Sequence, residues 1–236
     1  QAIADPRYAF PAVNQFLQLK GHPPLFNVQL VGLSREVRLN EGLFSVHTDC
    51  LLAEVEKADL VFIPALFGDM KSAIKQNREA IPWIVEQYKQ GAEVASLCVG
   101  AFLLASTGLL DGKRCSTHWA YANEFREMFP QVELKEGSVI TEEHHIYSSG
   151  GAHSYWNLLL YLVEKYADRE MAILTSKFFA VDIDRDSQSA FMMFQGQKNH
   201  VDNDIKMAQE YIEAHYQDKV TVEELADRFA IGRRSF

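Results

Sequence analysis

Glu93-Val94-Ala95-Ser96-Leu97-Cys98-Val99-Gly100-Ala101-Phe102-Leu103-Leu104-Ala105 decides how this chain folds. The run up to Leu97 has the apolar character of a buried strand, and the run from Val99 onward reads as a helix. A side chain at such a strand-to-helix corner stands at the carboxyl end of a sheet, where open α/β folds bind their ligands. The positive end of a helix favours thiolate over thiol, and hydrolases place a nucleophile on a similar turn. Cys98 is therefore the first candidate for chemistry or sensing. The plainer alternative is a small buried hydrophobe.

Outward from this corner, short β-rich runs alternate with helical patterns over the first 180 residues. Phe26–Leu33, Asp59–Ile63 and the run into Cys98 read as strands, and Val139-Ile140 and His145–Tyr147 suggest a further pair near the sheet edge. Helical stretches are expected at Pro11–Lys20, Lys71–Gln90, Val99–Leu109, Trp119–Phe129 and His153–Tyr166, with a break or kink at Pro82. Asp111-Gly112 reads as a tight turn, and Gly150-Gly151 as a turn or close backbone packing. The alternation predicts an α/β fold with a largely parallel sheet sandwiched by helices.

The composition, 47% hydrophobic and 23% charged over 236 residues, is that of an ordinary globular chain. No stretch has the length of a membrane span, and the N-terminus has no signal pattern, so a cytoplasmic location and no membrane partner are expected. A net charge of −9 gives no electrostatic footprint for nucleic acid in this stretch. Cys50, Cys98 and Cys115 are odd in number and lack metal-like spacing, which fits free thiols. His144-His145 looks like a metal cue, but neighbours in a strand point to opposite faces. The pair is read as a solvated strand end, and no metal or cofactor is expected.

From Asp182 the sequence turns polar and aperiodic, and residues 182–199 read as a linker. Val201, Ile205, Ala208, Ile212 and Tyr216 then recur at helical spacing. Thr221 and Glu224 form a capping box, and Val220 and Leu225 a hydrophobic staple around it. An apolar stripe (Val222, Leu225, Ala226, Phe229) and the turn Ala230-Ile231-Gly232 complete the outline of a helix-turn-helix. Between Val201 and Phe236 there are eight acidic and five basic residues. Without the groove-reading helix, this segment is not expected to hold DNA specifically.

His118, in Cys115-Ser116-Thr117-His118-Trp119, would deprotonate or stabilise the thiol if it faced Cys98. Taken alone it reads as a packing or capping histidine. Cys50 and Cys115 read as structural. His47 and His153 read as satisfied histidines, and Trp83, Trp119 and Trp156 as core.

Ala95–Ala105, Gly108-Leu109-Leu110-Asp111-Gly112-Lys113-Arg114 and Ser116-Thr117-His118-Trp119 together resemble the PfpI-like domain of AraC-type transcriptional regulators, within the class I glutamine amidotransferase-like superfamily. Ser148-Ser149-Gly150-Gly151-Ala152 resembles a later motif of that domain, and Ala208-Gln209 through Phe236 the entry into the AraC-type DNA-binding domain. The resemblance implies a flavodoxin-like, PfpI-like α/β sensor at residues 1–181, the linker, and the truncated all-α start of a helix-turn-helix domain at residues 200–236. It implies a regulator that binds a small metabolite, related to amino acids or amines, at Cys98, Val99, His118 and Tyr8. Arg233, Arg234 and Ser235 would face DNA in the full-length protein, and a homodimer is expected. Where the family's enzymes carry a glutamate, Asp5-Pro6-Arg7-Tyr8-Ala9-Phe10 places Tyr8. Cys98, His118 and Tyr8 are thus a vestigial catalytic set, and the domain is expected to bind without turnover. The family's first, central strand would lie before Asp5. The rival readings are a cysteine-dependent hydrolase, amidase or glyoxalase-like enzyme using Cys98 and His118, and a redox sensor at Cys98.

Overall fold

The computed structural model describes residues 2–39, 42–183, 187–188, 203–215 and 220–229. The chain divides into two units, residues 1–192 and 193–236. The first helix, α1 (Asp5–Leu19), begins earlier than the apolar pattern suggests. Pro6 lies in its first turn, where a missing N–H leaves no bond unmade. Its buried face carries Pro6, Ala9, Phe10 and Val13.

The expected strand at Phe26–Leu33 is not formed. Only Val31–Gly32 (β1) pairs, with Cys50–Leu51 (β4), around a hairpin of β2 (Glu36–Leu39) and β3 (Phe44–His47). Phe26 is held instead by the Asn14 carboxamide, which bonds its N–H at 2.9 Å and its carbonyl at 2.7 Å. Between this segment and β5 (Leu60–Ile63) lies a cavity of about 770 Å³, lined among others by Val28, Phe62, Trp83 and Leu103. The segment's main-chain bonds go to the Asn14 carboxamide at Leu25 and Phe26 and to β4 at Val31–Gly32.

The long helical run resolves into α2 (Met70–Gln76) and α3 (Ala80–Lys89). The break falls before Pro82, which occupies the first turn of α3, where proline is tolerated. Asp69 caps α2, accepting the Ser72 N–H at 2.8 Å. Then β6 (Glu93–Leu97) leads through a 3₁₀ turn, Cys98–Gly100, into α4 (Ala101–Ser106). The remaining elements of the first unit are β7 (Arg114–Cys115), α5 (Ala122–Met128), β8 (Glu133–Leu134), β9 (Ile140–Glu143), β10 (Ile146–Ser149), α6 (Tyr155–Tyr166) and α7 (Arg169–Phe179).

The main sheet has the order β5-β6-β10-β9. The first three strands are parallel, and β9 closes one edge antiparallel to β10. The pair β9–β10 thus lies at one edge of the sheet, as expected, with β9 outermost. His144 and His145, both at positive φ (50° and 63°), form the two-residue turn that joins β9 to β10.

Side-chain alternation sends Val94, Val61 and Ile146 to one core, with Phe102 of α4 and Phe125 of α5. Ala95, Leu97 and Tyr147 go to the other, with α1, α6 and α7. Helices therefore cover both faces, the layered α/β arrangement expected from the sequence. Phe102 meets Phe125 edge-on, with ring centroids 5.0 Å apart.

In the second unit, α8 (Asn203–Ala214) and α9 (Val222–Phe229) pack through buried Ala208, Leu225 and Ala226. The capping box is formed: Thr221 N–H donates to Glu224 Oε2 at 3.0 Å, and Glu224 N–H to Thr221 Oγ1 at 3.3 Å. Arg228 lies over the Tyr211 ring, 4.1 Å from its centroid. Val201, Tyr216 and the turn from Ala230 lie outside the described residues.

Gly100 decides how closely α4 approaches β5. A Cβ there would lie 2.5 Å from the Ile63 carbonyl oxygen and 2.7 Å from that of Pro64. Replacement by alanine (Gly100→Ala) is expected to cost about 1–3 kcal/mol. Urea unfolding should show a lower midpoint with an unchanged slope.

Candidate functional site at the Cys98 corner

Cys98 sits in the left-handed region, with φ 57°. A non-glycine residue there is strained and needs neighbours to hold it. Its N–H donates to Ser149 Oγ at 3.3 Å, and that hydroxyl donates in turn to the Ser96 carbonyl at 3.4 Å. Its carbonyl accepts from Thr117 Oγ1 at 3.3 Å. The hydroxyl of β10 thus clamps the end of β6, and Thr117 fixes the other side of the same residue.

Cys98 is buried, 6% exposed. Burial pushes its pKa up to about 11, against a smaller opposing effect from the Val99 N–H. The expectation of a thiolate favoured by the helix end is therefore corrected: desolvation wins. The same physics acts on Cys115, fully buried, whose pKa rises to about 12. Val99 contributes its main-chain N–H toward the sulfur, and its side chain is in the core.

His118 follows Thr117 and caps the short turn Trp119–Tyr121, its Nδ1 accepting the Ala120 N–H at 3.1 Å. Nδ1 is therefore unprotonated, and a neutral ring carries its proton on Nε2. Partial burial lowers its pKa, so the cation is disfavoured. In this arrangement His118 is a hydrogen-bond donor to whatever lies beyond Nε2, and a poor base for a thiol.

Tyr8 does not join this group. It lies on the outer side of α1 and is 65% exposed. The N-terminal residue that reaches inward is Asp5. Its Oδ2 accepts from Tyr155 Oη at 2.5 Å and from Trp156 Nε1 at 2.9 Å. Tyr155 is 1% exposed. Burial, the Asp5 carboxylate and the proximity of Cys98 all raise its pKa, so it stays a neutral phenol. A carboxylate is thus linked to the thiol's surroundings through Tyr155. Helical spacing to buried Ala9 (i+4) and Val13 (i+8) is the signal that would have turned Asp5, not Tyr8, toward the core.

Gln188 is also missed by the sequence reading, because its segment reads as linker. It is 1% exposed, and its Nε2 bonds the Thr117 carbonyl at 3.2 Å. The predicted DNA contacts Arg233, Arg234 and Ser235 lie outside the described residues. His145 bonds Glu93 Oε1 at 3.0 Å, and no cluster of three metal-ligating side chains occurs among the described residues. No described helix is long and apolar enough to cross a membrane.

The DJ-1/PfpI family model matches residues 19–165. Over 215 residues the chain is 28% identical to the HTH-type transcriptional regulator CdhR of Pseudomonas aeruginosa, covering 90% of this chain and 62% of that protein. The chain thus spans less than two thirds of that relative's length. Over 116 residues it is 25% identical to isonitrile hydratase of Pseudomonas putida, covering 49% of each. Among solved structures, an AraC family transcriptional regulator from Pseudomonas putida superposes with a TM-score of 0.61 at 19% identity, covering 75% of this chain and 92% of that one. At that identity the likeness is one of fold.

Two outcomes are expected from this geometry. Iodoacetamide should label half-buried Cys50 before Cys98, and the Cys98 rate should climb about tenfold per pH unit between about pH 7 and 9.5, because only the thiolate reacts. Rapid labelling of Cys98 at neutral pH, read by peptide mass spectrometry, would contradict the buried neutral thiol. Removing the inward carboxylate (Asp5→Ala) leaves two donors unpaired and should cost about 1–3 kcal/mol in thermal or urea unfolding.

Proposed function

The chain belongs to the DJ-1/PfpI family, and on that footing we propose that it is the sensing part of a DNA-binding transcriptional regulator, taking a small metabolite at the corner formed by Cys98, Thr117 and His118. The observation that carries this reading is the chemical state of the corner. The nucleophile position is occupied by a thiol held neutral by burial, and the histidine that follows Thr117, whose hydroxyl bonds the Cys98 carbonyl, has its Nδ1 committed to its own turn. Such a pair can recognise a ligand, and it lacks the ionised sulfur that acyl transfer needs.

The capped helix pair α8–α9 supports the output half of the proposal. Two short helices with a formed capping box are what the start of a helix-turn-helix unit requires. In the whole protein the contact to DNA would come from groups such as Arg233, Arg234 and Ser235. The effector is proposed as an amino-acid or amine relative, and the active form as a homodimer, both on the resemblance of the motifs.

One observation favours turnover as a second reading. Cys98 retains the strained left-handed corner, and strain of this kind gathers at functional sites. Hydrolysis of an amide or hydration of an isonitrile would use Cys98 as nucleophile.

The test uses the full-length protein. Genomic fragments captured by it should share a sequence element, and adding the correct amine or amino acid should change capture by about fivefold or more. Replacing the thiol (Cys98→Ser) should alter that response without abolishing capture. Turnover of amides, isonitriles or methylglyoxal that disappears in the same variant would replace the sensor reading with an enzymatic one.

A further inference from the structure

Gln188 has the surroundings of a ligand in a binding slot. Its Nε2 donates to two main-chain carbonyls, Thr117 at 3.2 Å and Ser138 at 2.8 Å. Its own N–H donates to the Gly137 carbonyl at 2.6 Å, and Ser187 pairs with Ser138 in an antiparallel bridge. Two carbonyl acceptors settle which end of the carboxamide faces them, since only the NH₂ group can donate. Oε1 must then point away, and it is buried without a hydrogen-bond partner.

The floor of the slot is glycine for a steric reason. A Cβ on Gly150 would collide with the Gln188 carboxamide and would lie 2.7 Å from the Thr117 carbonyl oxygen. On Gly151 it would lie 3.3 Å from Gln188 Oε1. Two routes of bonded or adjacent residues connect the slot to Cys98. Thr117 receives Gln188 on its carbonyl while its own hydroxyl holds the Cys98 carbonyl. Ser149 holds the Cys98 N–H and is followed directly by Gly150.

We propose that Gln188 is a latch. The slot formed by the Thr117 carbonyl, the Ser138 carbonyl and Gly150 is a carboxamide-binding site whose occupant is this chain's own connector. Residues 187–188 are thereby pinned against Thr117 and Ser138, one hydrogen bond from Cys98. A ligand that shifts Thr117 or Gly150 removes an acceptor or narrows the slot, and so releases the segment leading to the helical unit. The unmade hydrogen bond at Oε1 keeps the docking weaker than a fully satisfied one, as a reversible latch requires. Its role in signalling rests on the sensor reading above, but the docking itself does not.

Hydrogen exchange on the full chain tests this. In the unaltered protein the peptide spanning residues 181–191 should show a protected amide at Gln188. Replacing the amide with a carboxylate (Gln188→Glu) puts oxygen against two carbonyls, and truncation (Gln188→Ala) removes the donors. Both should speed exchange there by about tenfold or more while the 93–105 peptide stays protected. Gly150→Ala should give the same result with Gln188 intact, and if that variant does not fold, the two Gln188 variants decide. Unchanged protection in both of these variants overturns the latch, as does an unaltered protein that exchanges at the unprotected rate. Neither DNA nor effector enters this readout, so failure of the regulator reading and failure of the latch are separate results.

Discussion

The left-handed backbone at Cys98 is the constraint on which the candidate site depends. The end of β6 must reverse into α4 within three residues, Cys98–Gly100, while Gly100 lies against the carbonyls of Ile63 and Pro64. Gly100 permits the approach, and the Ser149 hydroxyl and Thr117 hydroxyl hold the two sides of Cys98. The same two residues, or their neighbours, then carry the other functional contacts. Thr117 precedes His118 and receives Gln188, and Ser149 precedes the glycine floor. One backbone reversal therefore sets the positions of the thiol, the imidazole and the connector.

The chemistry of the sulfur follows from a contest of magnitudes. A helix N-terminus is worth about 0.3–1 kcal/mol to an anion, and less when the helix is a single short turn. The rise of the thiol pKa to about 11 corresponds to roughly 3 kcal/mol against the thiolate. Desolvation exceeds the dipole, so a corner shared with nucleophiles presents a neutral group. The Asp5 carboxylate does not reverse this. It is committed to the Tyr155 and Trp156 donors, and its charge is passed on only as a restraint on the Tyr155 phenol.

What can be read from the chain divides by range. The strand Glu93–Leu97 is legible because its buried stretch, Val94–Leu97, is a run of apolar and small residues, as a strand buried on both faces requires. The Thr221–Glu224 box is legible because both partners lie within one turn. Phe26–Leu33 carries a strand pattern, but a strand is completed by its neighbour, and the pattern does not contain the neighbour. The β2–β3 hairpin and α7 go unread, although Asp168 caps α7 by accepting the Met171 N–H. Asp5 and Gln188 reach the site through partners 150 and 71 positions away, a separation no local periodicity encodes. Tyr8 is selected by counting along a motif, and the helix turns it outward.

The clamp on Cys98 has a temporal consequence. Ser149 lies 51 positions after Cys98 in the chain. During synthesis β6 and the following helix are complete long before the hydroxyl that fixes their junction exists. Parallel pairing of β10 with β6 closes a long loop, and such closures are slow relative to local helix formation. A nascent chain therefore carries a loose, solvent-accessible thiol until its second half arrives, and only then does the sulfur pass into the dry interior.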